Sequence, residues 1–119
     1  MSYKTIILEK RNGYAIVRLN RPHEMNAICK DMRLELYSVF SEMEADASVK
    51  IIILTGGEFI FSAGMDIKEM TYLRPEEGDE FLESMMRYLK KIYSCKKPVI
   101  AAVGGLALGG GFNLVTICD

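Results

Sequence analysis

From Pro98 to Cys118 the chain runs 21 residues without a charge, and five of them are glycines in two clusters, Gly104-Gly105 and Gly109-Gly110-Gly111. Such a run is long enough to span a bilayer. Its opening proline, its glycines and the polar Asn113 and Thr116 argue instead for a buried strand, a turn and a buried helix. A strand, a glycine-rich turn and a helix bring bare backbone N–H groups to a ligand in α/β proteins. The segment Phe61-Ser62-Ala63-Gly64-Met65-Asp66-Ile67 stands in the same kind of place, just after the apolar stretch Ile51 to Thr55. Two loops offering N–H groups point to a site that stabilises negative charge on an oxygen.

The rest of the pattern fixes the fold class. Tyr3 to Lys10 and Gly13 to Leu19 are short and β-branched, with Arg11-Asn12-Gly13 between them, which predicts an antiparallel hairpin. Helical spacing of Met32, Leu36, Val39, Phe40 and Met43 predicts a helix over Lys30 to Ala47. Lys50 to Thr55 reads as a strand buried on both faces. A short helix is predicted over Lys68 to Leu73. A longer one runs over Glu76 to Ser94, with Phe81, Leu82, Met85, Met86, Leu89, Ile92 and Tyr93 as its apolar stripe. Val99 to Val103 is the next strand and Phe112 to Cys118 the last helix. The order ββ-α-β-α-β-α predicts a single α/β layered domain. The last helix lacks a stop signal, leaving Leu114, Val115 and Ile117 with half their packing. The expectation is therefore a fragment, or a chain completed by another.

Composition excludes several classes. The 119 residues are half apolar and 26% charged, with 15 basic against 16 acidic side chains and a net charge of −1. That balance supplies no basic footprint for nucleic acid or anionic membranes. Cys29, Cys95 and Cys118 are scattered, with no CxxC pair, so zinc and redox motifs are unsupported and no metal is expected. Without a signal or transit segment the cytoplasm is the default location. A GxGxxG reading from Gly109 or Gly110 fails because neither Leu114 nor Val115 is glycine. A P-loop from Gly105 to Gly110 fails at Gly111-Phe112.

Three motifs in order, Asn20-Arg21-Pro22 with Met25-Asn26-Ala27, then Phe61 to Met70, then Leu106-Ala107-Leu108-Gly109-Gly110-Gly111, closely resemble the crotonase family of enoyl-CoA hydratases and isomerases. The resemblance covers Tyr3 to Asp119 and implies the amino-terminal half of one crotonase domain, since that family is about twice this long. It further implies a crotonase-like spiral of ββα units, the fold shared with self-compartmentalised serine proteases, assembled as homotrimers or hexamers and binding acyl-CoA thioesters. Coenzyme A enters as part of the substrate, and no cofactor is held permanently. By position, the backbone N–H groups of Met65 and Gly110 form the oxyanion hole. Ala63, Asp66, Ile67, Lys68 and Gly109 line the thioester and CoA, with Glu24 and Met25 at the entry loop.

Plainer readings stand beside these. The triple glycine also suits a tight turn, Asp66 is favoured as a helix cap over a ligand, and Lys68 also reads as a solvated charge. His23 reads as exposed rather than catalytic, and the helix methionines as core filling.

One departure bears on the chemistry. Enoyl-CoA hydratases carry a glutamate two residues past the triple glycine, where this chain has Asn113. The family's second acid lies beyond residue 119. Hydration calls for two carboxylates, whereas moving a double bond needs one base. An amide does not shuttle protons near neutral pH. Isomerisation is therefore the expected reaction, with hydration or another thioester reaction as the alternative. A non-catalytic acyl-CoA-binding or assembly fragment is the alternative of another class.

Overall fold

A computed structural model describes residues 2–119. The chain opens with the predicted hairpin. Strand β1 (Ile6–Lys10) runs antiparallel to β2 (Gly13–Leu19). Asn12-Gly13 makes the turn, with the Arg11 N–H donating to the Tyr14 carbonyl at 2.8 Å. Gly13 takes φ +92°, a conformation that glycine adopts without penalty.

Helix α1 (Lys30–Ala45) follows, burying Met32, Leu36, Val39, Phe40 and Met43 on one stripe. It stops at Asp46, whose Oδ1 accepts from the N–H of Ser48 at 2.9 Å and from its hydroxyl at 2.7 Å. That local bond offers the backbone an alternative to another helical turn and releases it into β3 (Val49–Thr55). Strands β2 and β3 are parallel, as the intervening helix requires. After β3 come β4 (Ile60–Ser62), α2 (Ile67–Thr71), a 3-10 turn at Pro75–Glu77 and α3 (Gly78–Tyr93). Strand β5 (Val99–Ala102) adds in parallel beside β3. Strand β6 (Leu106–Ala107) and α4 (Gly110–Thr116) complete the order.

The main sheet is therefore β1-β2-β3-β5, and β4-β6 forms a separate parallel pair. Neither β4 nor β6 was expected from the sequence, because three and two residues carry no period to detect.

Two expectations need correcting. Strand β3 is not closed on both faces: Val49, Ile52 and Leu54 are buried, while Ile51 and Ile53 are half-buried and Lys50 is exposed. One face of the sheet packs into the helix-lined core. The row Ile16, Ile53 and Ile100, aligned across β2, β3 and β5, lies on the more open face. On α3 the buried residues are Tyr88 and Ile92. Leu82, Met86 and Tyr93, assigned to the apolar stripe, are exposed. Tyr88 belongs to the face that meets α1, and burial of its ring pushes the phenol pKa up to about 12.

In α4, Leu114 is fully buried rather than half-packed, while Val115 and Ile117 are half-buried. Asp119 closes the segment onto β5. Its N–H donates to the Val99 carbonyl at 2.8 Å, and its Oδ2 accepts from the Val99 N–H at 2.9 Å. No helix among the described residues is long and apolar enough to cross a membrane.

Candidate active site

The site is built by the β4–β6 pair. The Leu106 N–H donates to the Phe59 carbonyl at 3.0 Å and the Leu108 N–H to the Ser62 carbonyl at 3.0 Å. These bonds lay the loop after β4 (Ala63 to Asp66) against the glycine turn after β6 (Leu108 to Gly110). At Gly64 and Gly111 the contact is close enough to require glycine. A Cβ on Gly64, which sits at φ +105°, would lie 2.9 Å from the Leu108 oxygen and 3.1 Å from the Gly110 nitrogen. A Cβ on Gly111 would collide with the Ser62 backbone. A Cβ on Gly110 would stand 3.4 Å from the Met65 nitrogen. Within the triple glycine it is Gly111 that the close approach requires, while a Cβ on Gly109 would meet nothing within 4 Å; the predicted pair Met65 and Gly110 is brought together.

Hydrogen bonding spends most, but not all, of the amides on the two loops. On the first loop, the Ala63 N–H donates to the Met25 carbonyl at 3.0 Å, the Gly64 N–H to the Ser62 hydroxyl at 3.2 Å and the Asp66 N–H to the Ile28 carbonyl at 3.1 Å. On the second, Gly111 donates to Leu108 at 2.8 Å and Asn113 to Gly109 at 3.0 Å. The N–H groups of Met65, Gly109 and Gly110 have no acceptor among the described residues, and of these Met65 and Gly110 are half-buried while Gly109 is exposed. Half-buried backbone donors are nearly always paired, so the free N–H groups of Met65 and Gly110 on apposed loops stand out.

The other expected site residues surround this pair unevenly. Asp66 caps α2, its Oδ1 accepting from the Glu69 N–H at 3.2 Å, and its Oδ2 meets Arg21 Nη1 at 3.1 Å. Burial pushes this carboxyl upward, but the Glu69 N–H and the Arg21 guanidinium outweigh it and hold its pKa below the usual range. Glu24 and Lys68 meet in an ion pair of 3.4 Å across the entry. Met25 and Ile67 are exposed, at 50% and 77%. Ala63 is half-buried and Gly109, at φ +51°, precedes α4 on the surface. Asn113 is exposed on α4, one turn past Gly109. His23 is exposed. Among the described residues no group of three or more His, Cys, Asp or Glu is placed to hold a metal ion.

Sequence reasoning did not single out Arg21, Asn26 or Ser62 as parts of the site. Two signals were available: all three residues fall within the family motifs, and asparagine is enriched where the backbone turns left-handed.

The chain is thus an α/β scaffold in which two glycine-bearing loops lie against each other beside a separate two-stranded pair. Residues 9–119 match the family model for enoyl-CoA hydratase/isomerase, and the chain belongs to that family. It is 42% identical, over its whole length, to a crotonyl-CoA hydratase of Syntrophomonas wolfei, covering 46% of that protein. It is likewise 42% identical to a short-chain-enoyl-CoA hydratase of Clostridium acetobutylicum, again covering 46% of it. Among solved structures, an enoyl-CoA hydratase/isomerase from Xanthobacter autotrophicus superposes with a TM-score of 0.93 at 35% identity, over 99% of this chain and 45% of that one. An enoyl-CoA hydratase from Bacillus anthracis gives 0.91 at 30% identity, over 98% and 46%. The fold is that of the crotonases, and the chain spans about half the length of the relatives it matches.

Proposed function

We propose that the full-length protein acts on enoyl-CoA thioesters, with the Met65 and Gly110 N–H groups holding the thioester oxygen as an enolate forms. The observation that carries this reading is the pair of free, apposed backbone donors. Removing a proton beside a thioester delivers charge to the carbonyl oxygen. Each preorganised donor stabilises that charge by about 3 kcal/mol in a site from which water is excluded. Coenzyme A is carried as part of the substrate, along Ala63, Ile67, Lys68 and Gly109, with Glu24 and Met25 at the entry. No permanently bound cofactor is invoked. Assembly as a homotrimer or hexamer belongs to the same proposal and is checked by light scattering on the purified protein.

Double-bond isomerisation is the reaction favoured here, because Asn113 brings no titratable group to the start of α4. One base suffices to take a proton from one carbon and return it to another. The test is a paired assay of the full-length protein with a 3-enoyl-CoA and a 2-enoyl-CoA. Faster conversion of the first supports isomerisation, and turnover of neither rejects the enzyme reading.

Hydration is the second reading, favoured by the names of the similar proteins, which are hydratases. Faster hydration of the 2-enoyl-CoA supports it. Asn113→Glu separates the two: gain of hydratase activity places residue 113 beside the reacting double bond, whereas no change removes it from there.

A further inference from the structure

We propose that Arg21 and Asn26 are positioning residues that aim the Met65 N–H by latching the loop after β4 to the turn at residues 20–28. This rests on the reading of Met65 as an oxyanion donor. The latch is a set of hydrogen bonds between segments some forty positions apart.

Arg21 leaves the end of β2 and its Nη1 donates to the Ala27 carbonyl at 2.7 Å and to Asp66 Oδ2 at 3.1 Å. Asp66 is the residue directly after Met65. A planar guanidinium joins a carbonyl and a carboxylate in fixed directions, which a lysine ammonium on a flexible stem does not reproduce.

Asn26 works from the other side. Its Oδ1 accepts from the Arg21 N–H at 2.7 Å, and its Nδ2 donates to the Phe61 carbonyl at 3.1 Å. Its own carbonyl accepts from the Ser62 hydroxyl at 2.8 Å, and that hydroxyl accepts from the Gly64 N–H. Ser62 is fully buried and Asn26 is 4% exposed.

Two features show that this arrangement is imposed rather than incidental. Met25 and Asn26 both sit at φ +54°, and consecutive left-handed residues other than glycine persist only where surrounding bonds determine them. Second, the latch consumes the N–H groups of Ala63, Gly64 and Asp66 and leaves only that of Met65 between them. Donor selection and donor direction thus come from one network.

The test uses the full-length protein and acetoacetyl-CoA, an acidic thioester whose enolate absorbs in the near ultraviolet. Wild-type protein is expected to lower the pH at which the bound probe ionises and to turn over an enoyl-CoA. Arg21→Met is expected to lower kcat roughly ten- to a hundredfold, the scale of a misplacement near 1 Å, with KM within about threefold. It should also return the probe's ionisation towards its value in water. Asp66→Asn keeps side-chain volume and a capping oxygen, and shows the same changes in smaller measure if Arg21→Met does not fold. Amide hydrogen exchange of residues 61–66 should rise in both variants while that of α1 does not.

Unchanged kcat, probe ionisation and loop exchange in the variants overturn the positioning role. Wild-type protein that neither ionises the probe nor turns over thioesters overturns the functional reading, even where loop exchange still reports the latch.

Discussion

Adding a single methyl group at Gly110 separates function from folding in this molecule. Gly110 is the first residue of α4 and its φ lies outside the left-handed region, so alanine adopts the same backbone. The new Cβ meets Ile28 Cδ1 and the Met65 nitrogen, each at 3.4 Å, which is ordinary contact. Alanine is the better helix former by about 1 kcal/mol, so stability should hold or rise slightly. In the proposed function a thioester oxygen approaches the Met65 N–H to about 2.9 Å, and the new carbon, 3.4 Å from that nitrogen, crowds the approach. Losing one oxyanion donor typically lowers kcat by about 10²–10³, or roughly 3–4 kcal/mol.

Gly64→Ala is the contrasting control. Its backbone sits at φ +105°, and the added Cβ meets Leu108 O at 2.9 Å and Gly110 N at 3.1 Å. Strained φ costs of order 1–3 kcal/mol and overpacking about as much again, together a large share of a domain's total stability. Thermal melts and enoyl-CoA turnover on both full-length variants supply the readings. Gly110→Ala should melt like wild type and lose activity, whereas Gly64→Ala should lose both. Activity within threefold of wild type in Gly110→Ala would falsify the assignment of this amide pair.

Other predictions follow from particular contacts. Glu35 on α1 accepts from the N–H groups of Lys4 and Thr5 and from the Thr5 hydroxyl at 2.7–3.1 Å, so Glu35→Ala should lower unfolding stability in urea by about 1–3 kcal/mol. The Asp66 carboxyl is held low in the folded state despite its burial. Its contribution is therefore present above the unfolded carboxyl pKa and is lost as pH falls through the folded value, and Asp66→Asn should flatten that acid limb in melts taken across the range. Tyr88→Ala should destabilise by about 3–5 kcal/mol while Leu82→Ala stays within about 0.5 kcal/mol, and a reversal would place the wrong face of α3 against α1.

The elements legible in the sequence were those with a period to read. The hairpin, α1, β3, α3 and β5 lie within a few residues of their expected bounds, because alternation or helical spacing persisted across each. Strands β4 and β6 stayed hidden because they are pieces of backbone pairing set by partners elsewhere. The stripe on α3 went wrong at Tyr88, since apolar side chains occupy several faces of that helix and contact with α1 chose among them. At the site, the glycine clusters announced a close approach, which Gly64 and Gly111 make. Arg21 and Asn26 announced nothing of their reach, because their partners at Phe61 and Asp66 lie far along the chain and meet them only after folding.

The β4–β6 pair has a consequence for motion. Both donor loops spring from this one two-stranded platform, tied by Leu106 to Phe59 and by Leu108 to Ser62, while the main sheet is a separate ladder. A displacement of that platform would move both amides together, whereas a displacement of the turn at residues 20–28, to which the first loop is also bonded, would reach Met65 first.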